Sequence, residues 1–179
     1  GYKTTGYSLV KNISAVYTGI SGLRVGGSLT INDAPYSQVK ENSKITAADV
    51  ADSSLSIQIV EVNAKYNANN IYAVFEYGQN SFEGNNFTSP LKTSNGYYLD
   101  LGYNIGEMVN TNRLIPWFRV SNVSTDVDTD SKITDYMRFG LTWWPIDNVA
   151  FKMDYGTKTK KSDSDNPTTQ INLGIGYNF

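Results

Sequence analysis

The segment INLGIGYNF, residues 171 to 179, alternates between apolar residues and glycine or asparagine. Its apolar members are Ile171, Leu173, Ile175, Tyr177 and Phe179. A period of two predicts a β-strand with one apolar face. Because chain ends are usually polar and loosely held, we expect this final strand to be anchored in apolar surroundings.

The same period of two recurs along the chain and predicts about nine strands. Pro116 interrupts one of them, and a proline suits only an edge, a strand start or a bulge. Leu55, Ile57 and Ile59 are out of phase with the apolar positions that follow from Val60. This phase change predicts a bulge or a change of environment near Ile59.

The connections between these strands are expected to alternate in length. The short ones are residues 21–22, 67–70, 106–112 and 145–148, and the long polar ones are roughly residues 33–53, 79–94, 122–132 and 158–168. Short turns at one end and long loops at the other are typical of outer-membrane β-barrels. The alternation also predicts that the C-terminus lies on the short-turn, periplasmic side.

Composition limits the possible functions. The 179 residues suit a single domain, residues 1–179, and they include no Cys and no His, which argues against thiol or imidazole catalysis and against His or Cys metal sites. A net charge of −2 disfavours a nucleic-acid partner. The mean hydropathy of −0.37 leaves no stretch of roughly 20 apolar residues for a spanning helix. We expect no enzyme activity and no cofactor.

The residue types on the two predicted strand faces favour a membrane barrel over a soluble β-sandwich. Aromatic residues stand near strand ends on the apolar face, as an interfacial girdle requires; they include Tyr66, Tyr103, Trp143 and Tyr177. The opposite face carries Gly, Asn, Thr and charges of both signs, which suit a water-filled lumen and not a packed core. The predicted fold is all-β, a transmembrane antiparallel up-and-down β-barrel.

Three segments resemble the C-terminal half of the phosphate-selective porin O and P family: GLRVGGSLTIND from Gly22, RLIPWFRVSN from Arg113 and GLTWWPIDNVAFKMDY from Gly140. They contain that family's Pro-Trp-hydrophobic-Arg, Trp-Trp-Pro and apolar-Lys-x-Asp motifs at residues 116–119, 143–145 and 151–154. The resemblance implies a homotrimeric, anion-preferring channel of about 16 strands in the bacterial outer membrane.

The end of the chain adds a second resemblance. Tyr177, Asn178 and Phe179 are similar to the C-terminal signature by which outer-membrane proteins are recognised for assembly. The implied partners are the barrel-assembly machinery, outer-membrane lipid and lipopolysaccharide, with small anions as permeants. Because bacterial single-chain barrels have an even number of strands, about nine strands predict the C-terminal part of a larger barrel, incomplete at its N-terminus.

Charged residues on the predicted lumen face are the candidate pore-lining residues. They are Arg24, Lys65, Glu76, Asp100, Arg113, Arg119, Arg138, Lys152 and Asp154. A ring of basic residues selects anions, but the same residues are needed for cross-strand pairs that brace a barrel wall. Both interpretations stay open. Arg119 and Arg138 are expected to form a basic patch on adjacent strands, and Lys152 with Asp154 a wall pair.

The acidic segment DVDTD places Asp126, Asp128 and Asp130 at the spacing of a calcium loop. Ser131 stands where such loops need glycine, and Met137 stands where they need glutamate. We therefore expect a solvated acidic loop and no metal, with a weak divalent-cation site as the alternative.

The functional prediction is an outer-membrane porin, a water-filled diffusion channel for small hydrophilic solutes. A weak anion preference is expected, with phosphate as one candidate solute. The alternative is a small closed outer-membrane barrel of about eight to ten strands whose interior is filled by side chains, with a structural or adhesive role and no open pore.

Overall fold

The computed structural model describes residues 9–35, 54–84 and 92–178. Nine antiparallel strands form one sheet in which each strand pairs with its neighbours in sequence, so the predicted all-β, up-and-down arrangement is confirmed. The strands are β1 (Lys11–Tyr17), β2 (Leu23–Pro35), β3 (Ser54–Ala68), β4 (Ile71–Gly84), β5 (Ser94–Tyr103), β6 (Arg113–Ser124), β7 (Ile133–Ile146), β8 (Val149–Lys160) and β9 (Asp163–Tyr177).

The sheet is open over the described residues. β1 and β9 are its two edges, and they do not pair with each other. Since strand direction alternates along the sheet, these two edge strands run the same way, and direct pairing between them would be parallel. Antiparallel closure of this sheet therefore requires an odd number of further strands.

The pairing register gives the sheet two chemically different faces. Directly paired residues on neighbouring strands share a face, so the pairs Asp100 with Arg119 and Arg119 with Arg138 define a polar face. The pairs Leu101 with Phe118 and Phe118 with Phe139 define the apolar face. Each strand alternates between the two faces, as the period of two in the sequence predicts.

The expected bulge near Ile59 is absent from the described residues. β3 pairs without a register shift, with Ile59 opposite Thr30 on β2 and opposite Asn80 on β4. Ile57 and Ile59 therefore lie on the polar face, which is the predicted change of environment. A bulge would break backbone hydrogen bonds locally. We infer that keeping these bonds to both neighbouring strands is worth more free energy than moving the two isoleucines to the apolar face.

The prediction of a long loop at residues 158–168 is wrong. β8 continues to Lys160 and β9 begins at Asp163, so the connection is a two-residue turn. Both strand ends are polar on both faces, and a polar strand gives no hydrophobic period to recognise. A register shift between Lys158 and Lys160 accommodates the extra residues before Thr168, including Pro167.

The other long connections are shorter than predicted where they are described. β4 extends to Gly84, five residues past the predicted start of its loop, and β6 extends to Ser124 before a 3-10 helix at Asp130–Lys132. Residues 36–53 of the predicted connection 33–53 and residues 85–91 of the predicted connection 79–94 lie outside the described residues. The segment between β5 and β6 contains a second 3-10 helix, Glu107–Val109.

The short turns lie where the sequence predicts them. Asn69 and Asn70 connect β3 to β4 with φ of 52° and 62°, the left-handed pair that a two-residue hairpin turn requires. Gly22 has φ of 78°, and a Cβ at this position would lie 2.5 Å from the Cβ of Ala68. Pro116 lies one residue beyond the β5–β6 ladder, which ends at Trp117, so its missing N–H breaks no bond to β5.

Apolar burial is almost absent from the described part of the chain. Ala150 is the one buried hydrophobic residue there, and no large side chain is fully buried. The exposed apolar residues include Phe139, Met153, Tyr155, Ile171, Leu173, Ile175 and Tyr177 on the apolar face. No helix in the described ranges is both long and apolar enough to cross a membrane.

Candidate functional site

The nine predicted pore-lining residues all lie on the polar face. One row of paired positions crosses the sheet through Arg24, Lys65, Asp100, Arg119 and Arg138. The other four residues are separated from positions in this row by an even number of residues along their strands, so they lie on the same face. They are Glu76, Arg113, Lys152 and Asp154. The shared face follows from the period of two alone, which is why the sequence could predict it.

Asp100 and Arg119 form the closest ion pair of the polar face among the described residues. The Nε and Nη2 atoms of Arg119 donate to the two carboxylate oxygens of Asp100, each at 2.5 Å. Asp100 is only 6% exposed. The guanidinium carbon of Arg119 also lies 5.1 Å from the ring centroid of Tyr98, whose hydroxyl donates to Glu76 at 2.9 Å. This geometry fits a brace between β5 and β6.

We expect Asp100→Asn to lower the free energy of unfolding by about 1 to 2 kcal/mol, because it removes one partner of a bidentate pair. The value is below that of a fully buried pair since the Arg119 side chain is 41% exposed. The measurement is the guanidinium midpoint of the protein folded in lipid vesicles. Asp130→Asn is the matched control, because its pair with Lys161 is exposed at both ends; an equal loss in the two variants would contradict the prediction.

Arg138 forms a second brace, between β7 and the strands that follow. Its Nη1 atom lies 3.6 Å from Asp154, and its Nη2 atom donates to Gln170 at 2.8 Å. Asp154 also accepts a hydrogen bond from Asn172 at 2.8 Å. The predicted wall pair of Lys152 with Asp154 is not formed in the described structure. Residues two apart on a strand are separated by about 6.6 Å along it, whereas Arg138 approaches Asp154 across the sheet.

Arg119 and Arg138 are directly opposed, as the predicted basic patch requires. Each of them nevertheless has its own carboxylate partner on a neighbouring strand. The wall-brace interpretation therefore describes this pair well. Arg24 and Lys65 are also directly opposed and exposed, and no ion pair among the described residues includes either of them.

A recess of about 360 Å³ opens on the polar face beside the Asp100–Arg119 pair. We call it the Trp117 recess. Its lining residues are Asn67, Tyr72, Asp100, Arg113, Ile115, Trp117, Arg119, Thr142, Trp144 and Lys152. No ion pair in the described part of the chain involves Arg113 or Lys152, so these two basic groups of the recess have no ion-pair partner there.

The aromatic side chains of the recess are held in place by their neighbours. The Nε1 atom of Trp117 donates to the buried hydroxyl of Thr142 at 3.1 Å, and its indole lies over Gly140, where a Cβ would overlap the ring. The guanidinium carbon of Arg113 lies 3.6 Å from the ring centroid of Trp144. A guanidinium stacked in this way keeps its in-plane N–H groups available to a ligand.

The aromatic residues of this recess are not among the site residues predicted from the sequence. Tyr72, Trp117 and Trp144 have the same phase as the charged residues of their strands, so their face could be read from the sequence. The girdle pattern predicts a role only for aromatic residues on the apolar face. Aromatic residues next to unpaired basic residues are the signal that would have identified the recess.

The three aspartates of the predicted acidic loop separate in the structure. Asp126 accepts hydrogen bonds from the hydroxyl of Thr129 at 2.7 Å and from the N–H of Asp128 at 3.1 Å, and it pairs with Lys92 at 3.1 Å. Asp130 pairs instead with Lys161 at 2.9 Å. Within the described ranges, no group of three or more acidic residues is placed to hold a metal ion.

The Thr129 hydroxyl, followed by Lys92 and the Asp128 N–H, holds the pKa of Asp126 below its ordinary value. A lowered pKa in the folded state means that this carboxylate stabilises the loop above the unfolded value of about 3.9 and stops doing so as pH falls through the lower folded value. We expect the protection factor of the Val127 amide, which donates to Thr93, to stay high from pH 7 to about 4 and to fall below that pH; the protection factor is the intrinsic exchange rate at each pH divided by the observed rate. Asp126→Asn should lower this protection factor throughout the range, and an unchanged protection factor would contradict the prediction.

The predicted assembly signal is only partly described. Tyr177 is the last residue of β9, lies opposite Val149 and is exposed on the apolar face. Phe179 lies outside the described residues. Its predicted role therefore stays a prediction.

Comparison of the chain with models of known protein families gave no match, and comparison with curated proteins gave none either.

Proposed function

We propose that this chain forms part of a bacterial outer-membrane β-barrel that works as a porin, a water-filled channel for small hydrophilic solutes. The observation that carries the proposal is the inverted polarity of the sheet. Ion pairs and hydrogen bonds join side chains on the polar face, whereas large apolar side chains on the other face stay exposed on β2 to β5 and on β7 to β9.

An exposed apolar face of this kind is unfavourable in water. Burying a large apolar side chain contributes about 1.5 to 3 kcal/mol, and the described part of the chain forgoes this contribution on nearly every strand. Contact with lipid would supply it. A water-filled lumen would at the same time solvate Arg24 and Lys65, which have no carboxylate partner among the described residues.

Strand length and aromatic positions agree with this proposal. β2 to β9 contain 10 to 15 residues each, whereas a transmembrane β-strand needs about 9 to 11. Tyr66, Tyr103, Trp143 and Tyr177 lie on the apolar face toward the end of the sheet with short turns. Aromatic residues at one level of this face fit a girdle at a membrane interface.

The open sheet suits a chain that contributes only some strands of the barrel. The odd number of strands required for antiparallel closure would come from another part of a longer protein. A homotrimer, contact with lipopolysaccharide and insertion by the barrel-assembly machinery belong to the same proposal.

A weak anion preference follows from the charges of the polar face. Four of the predicted pore-lining basic residues form no ion pair in the described part of the chain, namely Arg24, Lys65, Arg113 and Lys152. Two acidic residues of the polar face, Glu61 and Glu76, are likewise without an ion pair there, whereas Asp100 and Asp154 are each paired. Each unpaired cation would bias anion entry by about 1 kcal/mol or less, because salt screens its field within about 8 Å. Phosphate remains one candidate among the permeant anions.

The deciding experiment measures ion conductance of the protein purified from outer membranes and inserted into planar lipid bilayers. The proposal expects open channels of stable conductance, with a zero-current potential in a salt gradient that favours chloride slightly. The mass of the same preparation should be near twice the 19.8 kDa of this chain. Folded, membrane-embedded protein that never conducts would reject the porin and favour a small closed barrel.

A further inference from the structure

The Trp117 recess is the best-supported feature of the structure that has no role in the proposed function so far. We propose that it binds small planar organic carboxylates, compounds in which a carboxylate group is attached to a flat ring. This inference rests on the proposed function, since it names a class of solute that would pause at the pore wall. The volume of the Trp117 recess, about 360 Å³, lies within the range of small-molecule sites.

The charged part of the recess fits a carboxylate. Arg113 and Lys152 both line it, and no ion pair formed in the described part of the chain uses either side chain. The stacking of Arg113 on Trp144 fixes the plane of its guanidinium, whose N–H donors match the two oxygens of a carboxylate. Arg119 is already satisfied by Asp100 and contributes wall structure instead of a free charge.

The apolar part of the recess fits a flat ring. Trp117, Trp144 and Tyr72 line the same space, and the bond of Trp117 to Thr142 holds its indole in a fixed orientation. Aromatic groups pack against one another with centroids about 4.5 to 7 Å apart and add to simple burial. A tetrahedral inorganic anion can use the two cations but gains nothing from these rings.

Benzoate is the probe for this site, and tryptophan fluorescence of the full-length protein folded in vesicles is the measurement. We expect saturable quenching by benzoate and at least tenfold weaker quenching by benzyl alcohol, which lacks the charge, and by acetate, which lacks the ring. Inorganic phosphate at the same concentration should displace benzoate poorly. If phosphate displaced half of the bound benzoate at a concentration close to the one at which benzoate itself half-saturates the site, the proposal would be overturned.

Substitutions test the assignment to this recess. The double variant Arg113→Gln, Lys152→Gln should weaken benzoate binding at least tenfold. The matched control Lys158→Gln, Lys160→Gln removes two positive charges from the same face but outside the recess, and it should bind benzoate as the unchanged protein does. Equal losses in both double variants would show a general charge effect and overturn the site.

The bilayer experiment separates this proposal from the porin proposal. In conducting channels, benzoate should produce brief, saturable interruptions of the current that are lost in Arg113→Gln, Lys152→Gln. Channels that conduct but show neither interruptions nor saturable quenching would reject the recess and keep the porin. Saturable quenching in protein that never conducts would reject the porin and keep the recess.

Discussion

The Leu173→Arg variant is expected to lose about 3 kcal/mol of folding free energy in lipid vesicles, because arginine on the lipid side of a transmembrane barrel costs about 2 to 4 kcal/mol near the bilayer midplane. Leu173 is 79% exposed on the apolar face of β9. In a protein whose apolar face met water, the same change would remove an exposed apolar side chain and have almost no effect. The measurement is the guanidinium midpoint of vesicle-embedded protein.

Gly174→Arg is the matched control for this prediction. Gly174 is the next residue on the same strand and lies on the polar face opposite Lys152, where an added Cβ would make only an ordinary contact, 4.0 Å from Cβ of Lys152. The same new charge therefore enters the proposed lumen and should change the midpoint by less than about 1 kcal/mol. If the two variants lose the same free energy, the apolar face does not meet lipid.

The strands and their faces could be predicted from the sequence because they depend on a single local property. Wherever apolar and polar residues alternate, as from Ile171 to Tyr177, both the strand and the residues on each of its two faces follow. Where the alternation is lost, the sequence does not indicate a strand. The end of β8 and the start of β9 are polar on both faces and therefore have the composition of a loop, although their backbones pair as far as Lys160 and Asp163.

The candidate site was predictable to the level of a face but not to the level of pairs. Phase alone placed Asp100, Arg119 and Arg138 together. Which carboxylate each arginine contacts depends on stagger and side-chain reach, so Asp154 was assigned to Lys152 although it pairs with Arg138. The Trp117 recess depends in addition on a position without a side chain. A glycine in the sequence gives no indication that an aromatic ring from the neighbouring strand lies over it.

Two glycines of the polar face have this structural role. Gly140 lies beneath the indole of Trp117, and Gly156 lies beneath the Arg138 side chain. A glycine on the neighbouring strand leaves room for a long side chain to lie close to the sheet. The order of the polar face, including the brace from Arg138 to Asp154, therefore depends on residues that carry no chemistry of their own.

Gly156→Ala should accordingly destabilise the fold by about 3 kcal/mol, at the upper end of the range for overpacking. The added methyl group would overlap the backbone carbonyl of Met137 and lie 2.6 Å from Cγ of Arg138. A side chain can rotate away, but the carbonyl belongs to the β7–β8 ladder, so relief requires the two strands to separate. The measurement is again the guanidinium midpoint in vesicles.

Gly174→Ala is the control for this backbone overlap, because the nearest atom to its new methyl group, Cβ of Lys152, is 4.0 Å away. Both substitutions replace a glycine by alanine on the polar face of neighbouring strands, so they change strand propensity and unfolded-chain entropy alike. The difference between them isolates the overlap at Met137. Equal midpoints would mean that β7 and β8 lie farther apart at Gly156 than the structure shows, and that Arg138 reaches Asp154 without needing a glycine beneath it.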